Sequence, residues 1–382
     1  MNIYLDNAST SFPKPKSVVD SIYDYLVNVG GNANRSNYSN SLDSSRKLLS
    51  ARENIADFFN FNKAENVIFT NNITSSLNML IRGTLTSGDH VITSTMEHNS
   101  VLRPLNDLKQ LGIDVDFVQA NNMGFIIPED IENMIKPNTK MCIISHASNV
   151  TGSIQNIKSI GSICCKYNIF FIIDSAQSAG VLDIDINEIN ASAIAFTGHK
   201  SLFGPQGIGG FIIDDKLNSE CSPTFSGGTG SLSYSLEQPT FLPDKFESGT
   251  MNMPGIVGLS TGIDFIKNTG INTIKEKVSY LRSILLDGIL NIKNFEVYGD
   301  LNNINSTTCL SINNTNLDPS ELSYLLDING IKTRSGLHCA PLAHKSIGTY
   351  PAGAVRLSLS YFNSKEDIYN TLNILNKVEE NL

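Results

Sequence analysis

The sequence predicts an α/β protein with a large domain built on a mainly parallel sheet and a smaller α+β domain towards the C-terminal end. Between residues 66 and 213, short uncharged strand patterns alternate with helical spacing, which is typical of a parallel sheet covered by helices on both faces. After residue 254 one or two amphipathic helices precede a mixture of strands and helices. The 382 residues are enough for both domains. We expect the large domain to span 14–255 and the small domain to combine 1–13 with 256–382.

The elements of the N-terminal part follow from spacing. Residues 1–13 predict a short strand and a turn, and apolar residues at helical spacing predict helices over 15–28 and 40–60. The polar, glycine-led loop 30–38 separates the two helices, and both a functional role and a plain linker remain open for it.

The remaining elements follow from runs of apolar residues and from their spacing. The predicted strands are 66–70, 90–94, 113–118, 141–145, 169–173, 192–197, 295–298, 308–312 and 354–360. The predicted helices open at 71 and span 128–135, 157–167, 318–328 and 364–379, besides those within 254–293.

Composition excludes several classes of protein. The net charge is −9 and no basic tract stands out, so we expect no nucleic-acid partner. No apolar run approaches the ~18 residues of a membrane span, and the N-terminus lacks the pattern of a signal peptide. The six cysteines are scattered without a Cys-x-x-Cys pair, which argues against a disulfide framework or a metal site and favours the cytoplasm.

One lysine and one aspartate follow neighbouring predicted strands. Lys200 comes after Ser192-Ala-Ile-Ala-Phe-Thr197, and Asp174 ends Ile169-Phe-Phe-Ile-Ile-Asp. Ligands of open α/β sheets bind at such strand ends, although lysines are usually surface residues and aspartates often cap helices. A lysine that can form an imine and a carboxylate that can pair with a pyridinium nitrogen are two parts of a pyridoxal 5'-phosphate (PLP) site.

Three further candidates lie after predicted strands. Thr74 lies at a helix start, where hydroxyl and backbone N–H groups suit a phosphate but also cap helices without any ligand. The flat ring of His98 could stack on a planar cofactor, although a single histidine is more often structural. Asn149 could donate to a ring oxygen or to a substrate carboxylate.

The C-terminal part contains a candidate nucleophile and a candidate carboxylate ligand. Cys339 lies in Arg334-Ser-Gly-Leu-His-Cys-Ala-Pro341, which predicts an exposed, mobile loop. We expect Arg334, His338, His344 and Lys345 to favour its thiolate form, while a cysteine without a role remains the alternative. Arg356 alternates with apolar residues, so it can face a cleft and bind a carboxylate through its fork, or lie on the surface.

Taken together, the motifs resemble those of the class V aminotransferase superfamily and, within it, the cysteine desulfurases. Asp174-Ser-Ala-Gln177 and Thr197-Gly-His-Lys200 carry the resemblance first. It continues in order along nearly the whole chain, through Met96-Glu-His98, Ser148-Asn149, Glu247-Ser-Gly-Thr250, Arg334-Ser-Gly-Leu-His-Cys339-Ala and Val355-Arg356. The form of the cysteine motif resembles the SufS-type branch and its clostridial-type members.

The resemblance implies the PLP-dependent transferase fold of type I, with a seven-stranded sheet. It also implies that the protein is a homodimer. It implies that Lys200, Cys339 and His98 are catalytic and that Arg356 and Asn149 bind the substrate L-cysteine. The implied cofactor-binding residues are Lys200, Asp174, Gln177, His98, Thr74, Ile73, Asn149, Thr197, His199 and, from the neighbouring subunit, Thr250. Two departures from the family pattern are Tyr38, where many relatives have histidine, and Ile73, which leaves one phosphate contact to the backbone alone.

The implied reaction converts L-cysteine to L-alanine and leaves a persulfide on Cys339, for iron–sulfur cluster assembly or another use of sulfur through an acceptor protein. The same lysine, aspartate, histidine and arginine would also serve a selenocysteine lyase, an aminotransferase or an epimerase. A non-catalytic sulfur-transfer scaffold remains a third reading.

Overall fold

The computed structural model describes residues 2–33 and 38–381. The chain opens with strand β1 (Ile3–Tyr4) and helix α1 (Lys16–Asp24), which continues as a π-helical turn over Tyr25–Val29. Helix α2 spans Ser39–Phe58. Residues 34–37 of the polar loop 30–38, for which a functional role and a plain linker were both left open, lie outside the described residues.

A seven-stranded sheet forms the centre of the protein. Its strands are β2 (Val67–Thr70), β3 (His90–Ser94), β4 (Asp114–Val118), β5 (Thr139–Ser145), β6 (Phe170–Asp174), β7 (Ala193–Thr197) and β8 (Gly209–Ile213). Their order is β2-β8-β7-β6-β5-β3-β4. Strand β8 is antiparallel to both of its neighbours, and all other pairs are parallel. The prediction of a mainly parallel sheet is therefore confirmed.

Helices cover both faces of this sheet. They are α3 (Ile73–Thr84), α4 (Asn99–Lys109), α5 (Pro128–Asn133), α6 (Ile157–Lys166), α7 (Ile186–Ile189) and α8 (Asp215–Glu220). Successive residues of one strand point to opposite faces, so Ile173 and Phe171 join one buried cluster and Ile172 and Phe170 join another. Burial on both faces explains why these strands read as continuous apolar runs.

The C-terminal part begins with α9 (Met253–Thr269) and α10 (Ile271–Leu290), two helices separated by Gly270, whose φ is +86°. Its other elements are β9 (Phe295–Tyr298), β10 (Cys309–Asn314), α11 (Pro319–Ile328), β11 (Ile331–Lys332), β12 (Arg334–Gly336), α12 (Pro341–Ser346), β13 (Ala354–Ser358) and α13 (Lys365–Glu380). A four-stranded antiparallel sheet has the order β12-β13-β10-β9.

The N-terminal arm packs with the C-terminal part, because β1 pairs in parallel with β11 to form a separate two-stranded sheet. This pairing agrees with grouping 1–13 with the C-terminal part, but the division after residue 255 stays a prediction. No helix in the part of the chain that the structure describes is long and apolar enough to cross a membrane.

Candidate active site

Lys200 and Asp174 lie at the carboxyl ends of adjacent parallel strands. Asp174 is the last residue of β6 and pairs with Ala195 of β7, and Lys200 follows the end of β7. Burial lowers the pKa of Lys200 to about 8, an effect that the charge of Asp174 opposes. Burial raises the pKa of Asp174, while the N–H of Ala176 and the charge of Lys200 oppose this shift. The structure thus brings together the amine and the carboxylate that the sequence pairs, and a lowered pKa favours a nucleophilic amine.

His98 caps the start of α4. Its Nδ1 accepts a hydrogen bond from the N–H of Ser100 at 3.0 Å, which leaves the ring proton on Nε2. Burial, followed by the charges of Lys200 and Arg334, lowers the pKa of His98 to about 4. The ring is therefore neutral near pH 7.

Two buried polar atoms near Lys200 have no hydrogen-bond partner among the described residues. They are Oγ1 of Thr197 and Nδ1 of His199. Unpartnered buried polar atoms are rare in folded proteins and call for an explanation. A phosphate would supply the missing acceptor or donor for both, so the residues present fit PLP.

The other predicted phosphate contacts lie at the start of α3 and in a cavity next to it. Ile73 is buried at the first position of this helix, and the Thr74 side chain is exposed in the first turn. Thr250 is also exposed, and it lines a cavity of about 460 Å³ together with Asn71 and Ser75. The proposed contact of Thr250 with a neighbouring subunit remains a prediction.

Gln177 and Asn149 are buried amides, each tied to another segment. Gln177 Nε2 donates to the carbonyl of Ala8 at 3.1 Å. Asn149 Nδ2 donates to the carbonyl of His338 at 2.7 Å. Each amide nitrogen carries a second hydrogen that a ligand can accept.

Arg356 is buried, as its alternation with apolar residues predicts, and only 1% of its surface is exposed. Nη1 donates to the carbonyl of Asn149 at 3.0 Å, and Nη2 contacts Asp6 Oδ1 and Ser9 Oγ, each at 2.9 Å. Its Nε has no partner among the described residues. The N–H of Nε is therefore left without an acceptor inside the site.

The prediction that the Cys339 side chain is exposed is confirmed. His338 and Cys339 both adopt left-handed backbone conformations, with φ of 49° and 57°. The carbonyl of Cys339 accepts from the N–H of Asn99 at 2.7 Å, next to His98, and Arg334 Nη2 lies 3.8 Å from the thiol sulfur. These bonds fix the cysteine segment to the loops that carry His98 and Asn149.

The predicted loop around Cys339 is confirmed but is shorter than the motif. Residues 334–336 form β12 against β13, and Pro341 begins α12, where its missing N–H costs nothing. Only the short turn between these elements carries the thiol.

The expectation that His338 and His344 supply positive charge to the thiol is also wrong. Burial lowers the pKa of His338 to about 2 and that of His344 to about 4, so both rings are neutral. They bond to each other, with His338 Nδ1 at 3.3 Å from His344 Nε2. The ammonium of Lys345 lies over the ring of Tyr350, at 4.9 Å from its centroid. Of these four residues, Arg334 is the one with a contact to the sulfur.

Sequence reasoning missed three residues of the N-terminal arm. Asp6 and Ser9 contact Arg356, and Lys14 Nζ donates to the carbonyl of His199 at 2.7 Å. Burial lowers the pKa of Lys14 to about 8. All three lie between β1 and α1, and no sequence motif marks them.

A fourth missed residue is Glu97, which is fully buried beside His98. Its carboxylate accepts from Ser94 Oγ at 2.6 Å and from Ser145 Oγ at 2.7 Å, and burial raises its pKa to about 7. These bonds join the ends of β3 and β5, so Glu97 helps to hold the turn that carries His98.

Comparison with known proteins shows the family of the chain. Residues 3–370 match the family model described as aminotransferase class-V. The chain belongs to the class-V aminotransferase family. A relative from Methanothermobacter thermautotrophicus, named a probable cysteine desulfurase, is 35% identical over 96% of this chain and 92% of its own length. A probable cysteine desulfurase from Borreliella burgdorferi is 33% identical over 100% of this chain and 92% of its own length.

Solved structures of this family superpose closely on the chain. The apo structure of a cysteine desulfurase from Thermococcus onnurineus has a TM-score of 0.95 at 31% identity, covering 100% of this chain and 95% of that one. The cysteine desulfurase CsdA from Escherichia coli has a TM-score of 0.89 at 26% identity, with the same coverage of both chains. The expected type I transferase fold is confirmed by these superpositions.

Proposed function

We propose that the chain is a PLP-dependent cysteine desulfurase that converts L-cysteine to L-alanine and leaves the sulfur as a persulfide on Cys339. One observation carries the proposal. An exposed thiol lies on a turn bonded to Asn99 and Asn149, and Asn149 follows β5, the strand that pairs with β6 at the end carrying Asp174. The names of the class-V relatives support the same reaction.

PLP, when bound, supplies an electron-withdrawing ring that accepts the electrons released at the substrate Cα. Lys200 would hold it and, once released, would move a proton at Cα. Asp174 would pair with the ring nitrogen and keep it protonated. His98, neutral with its proton on Nε2, would bind the ring and exchange a proton with the substrate thiol. The phosphate would be held by Thr74, Thr197, His199 and the backbone of Ile73, with Thr250 from a second copy.

Arg356 and Asn149 bind the substrate carboxylate, and Gln177 donates to the ring oxygen. The Cys339 thiolate then attacks the substrate sulfur, so an S–S bond forms as the Cβ–S bond breaks. The electron pair of the broken bond returns to the carbon skeleton, which takes up a proton and leaves as alanine. A homodimer, a sulfur-acceptor protein and a cytoplasmic location complete the proposal.

The test is mass spectrometry of the Cys339 peptide after the PLP-loaded protein has been incubated with L-cysteine. We expect a persulfide on Cys339 together with alanine, and sulfide release when a thiol reductant is added. Lys200→Ala abolishes both products, and Cys339→Ala abolishes the persulfide. Cys165→Ala, which changes another exposed cysteine, is the matched control and leaves both unchanged.

Two results contradict the proposal. If neither sulfide nor a modified Cys339 is detected, the desulfurase reaction is ruled out and an aminotransferase or an epimerase is favoured. Full sulfide output from Cys339→Ala would favour a lyase of the selenocysteine type.

A further inference from the structure

The guanidinium of Arg356 has few ways to bind a carboxylate at two points. A side-on pair uses the N–H groups of Nε and Nη2, and an end-on pair uses Nη1 and Nη2. Both arrangements include Nη2. A substrate carboxylate that takes the fork therefore needs an N–H of Nη2, whichever edge it approaches.

Nη2 already contacts two acceptors of the chain. Asp6 Oδ1 and Ser9 Oγ each lie 2.9 Å away, whereas Nε has no partner among the described residues. Asp6 is the carboxylate that forms an ion pair with Arg356, and no second one is found among the described residues. Of the two nitrogens that form the side-on edge, Nε is thus without an acceptor, whereas Nη2 is occupied by Asp6.

The Asp6 carboxylate is able to leave. Its side chain is 21% exposed, while the Arg356 side chain is 2% exposed. A released Asp6 regains water, but Arg356 stays buried and needs an anion, because an unpaired buried charge is costly. The exchange of one carboxylate for another keeps the buried cation paired throughout.

We propose that Asp6 is a latch on Arg356 that the carboxylate of the substrate displaces, an inference that rests on the proposed function. Asp6 stands in for the substrate carboxylate and competes with it. Asp6 is thus a residue that sets affinity for the substrate without acting in the bond-making steps.

Ser9 extends the latch towards the thiol. Its hydroxyl donates to Asp6 Oδ1 at 2.8 Å and also lies 3.3 Å from Nη1 of Arg334, whose Nη2 contacts the Cys339 sulfur. Displacement of Asp6 removes the acceptor of the Ser9 hydroxyl. The loss of the Asp6–Arg356 ion pair therefore affects Arg334, which contacts the Cys339 sulfur, through Ser9.

The test uses 3-mercaptopropionate, which has the carboxylate and thiol of L-cysteine without its amine. Because 3-mercaptopropionate is itself a thiol that can release sulfide from a persulfide, its inhibition constant is measured on alanine formation by the PLP-loaded protein with a saturating thiol reductant, along with KM and kcat for L-cysteine. Asp6→Asn keeps the shape but removes the competing charge, so we expect the inhibition constant and KM to fall about fivefold, with kcat changed less, since charged hydrogen bonds are roughly twice as strong as neutral ones. Asp20→Asn, which alters an exposed ion pair with Lys16, is the matched control and changes neither.

A second readout needs no turnover: the rise in melting temperature that 3-mercaptopropionate causes in the PLP-free protein. We expect a larger rise for Asp6→Asn than for the wild type, and a smaller increase in the same direction for Ser9→Ala, which removes the other acceptor of Nη2. Ser9→Ala also serves if Asp6→Asn does not fold.

The outcomes separate the latch from the proposed function. If Asp6→Asn and Ser9→Ala weaken the binding of 3-mercaptopropionate or leave it unchanged, while Arg356→Gln also weakens it, the arginine binds the carboxylate and the latch is wrong. If Arg356→Gln has no effect, Arg356 does not bind the carboxylate, and the latch and that part of the proposed function fail together. If no sulfide is released but the melting shifts follow the expected order, the desulfurase reaction fails and the latch stands.

Discussion

Two buried arginines of this protein are paired in different ways. Arg52 and Glu247 are each 6% exposed, and Glu247 Oε1 accepts from Arg52 Nη1 and from the N–H of Phe69, at 2.8 and 2.7 Å, while its Oε2 accepts from Nη2. The Arg356–Asp6 pair has a single oxygen in contact, an unpartnered Nε and a partly exposed carboxylate. We call the first a closed pair, because both carboxylate oxygens are bonded and both side chains are buried, and we infer that it stabilises the fold. We call the second an open pair, because one nitrogen lacks a partner and the carboxylate is partly exposed, and we infer that it can exchange its anion.

The largest effect is expected at the closed pair. Arg52→Met leaves Glu247 buried without its cation, and breaking such a pair costs about 3–5 kcal/mol. Urea unfolding of the PLP-free protein measures this loss. Arg46→Met, which removes an exposed pair with Asp43, serves as the control and should cost less than about 1 kcal/mol. Equal losses at the two sites would contradict the distinction between closed and exposed pairs.

Glu97 sharpens the comparison, because this buried carboxylate has serine donors but no ion pair with a cation among the described residues. Its pKa is raised from 4.5 to about 7, so the folded state favours the protonated form. The contribution of Glu97 to stability is therefore fully present below pH 4.5 and is lost as the pH rises through about 7.

Glu97→Gln mimics the protonated form at every pH. We expect this variant to gain stability relative to the wild type as the pH rises from about 5 to about 8, by up to about 3 kcal/mol for a shift of this size. Urea unfolding at several pH values measures the difference, with Glu129→Gln on the first turn of α5 as the control. A difference that stays constant with pH would show that Glu97 does not titrate in this range.

The smallest effect on stability is expected at the open pair. Asp6→Asn keeps a hydrogen-bond acceptor for Arg356 and Ser9 but leaves the buried guanidinium without its anion, a cost that the partial exposure of position 6 to water reduces. We therefore expect a loss of about 1–2 kcal/mol in urea unfolding, smaller than that of Arg52→Met, beside the change in ligand affinity described above. A loss as large as that of Arg52→Met would make Asp6 a structural residue and not an exchangeable one.

Local pattern predicted the half of the site that lies at strand ends. Asp174 ends the apolar run that forms β6, and Lys200 follows the apolar run that forms β7. Because these strands are adjacent and parallel, their carboxyl ends lie at one edge of the sheet. The antiparallel direction of β8 was not predicted, because direction depends on pairing with β2 and β7 and not on composition.

The other half of the site depends on contacts between distant segments. Asp6 and Arg356 are 350 positions apart, and no spacing rule connects them. The neutral state of His338 and His344 follows from burial by tertiary packing, which a loop-like sequence does not reveal. Similarly, Arg334–Gly336 is a strand only because β13 lies beside it.

The docking of the N-terminal arm has a consequence for synthesis of the protein. Ile3 pairs with Ile331, and Ser358 accepts from the N–H of Asn7, so residues 3–7 gain these partners only after segments more than 300 positions later have been synthesised. The central sheet can assemble during translation, but the arm that carries Lys14 reaches its final place only after β13 has been synthesised. A nascent chain interrupted before β13 would therefore lack the docked arm that bonds to the carbonyl of His199, next to Lys200.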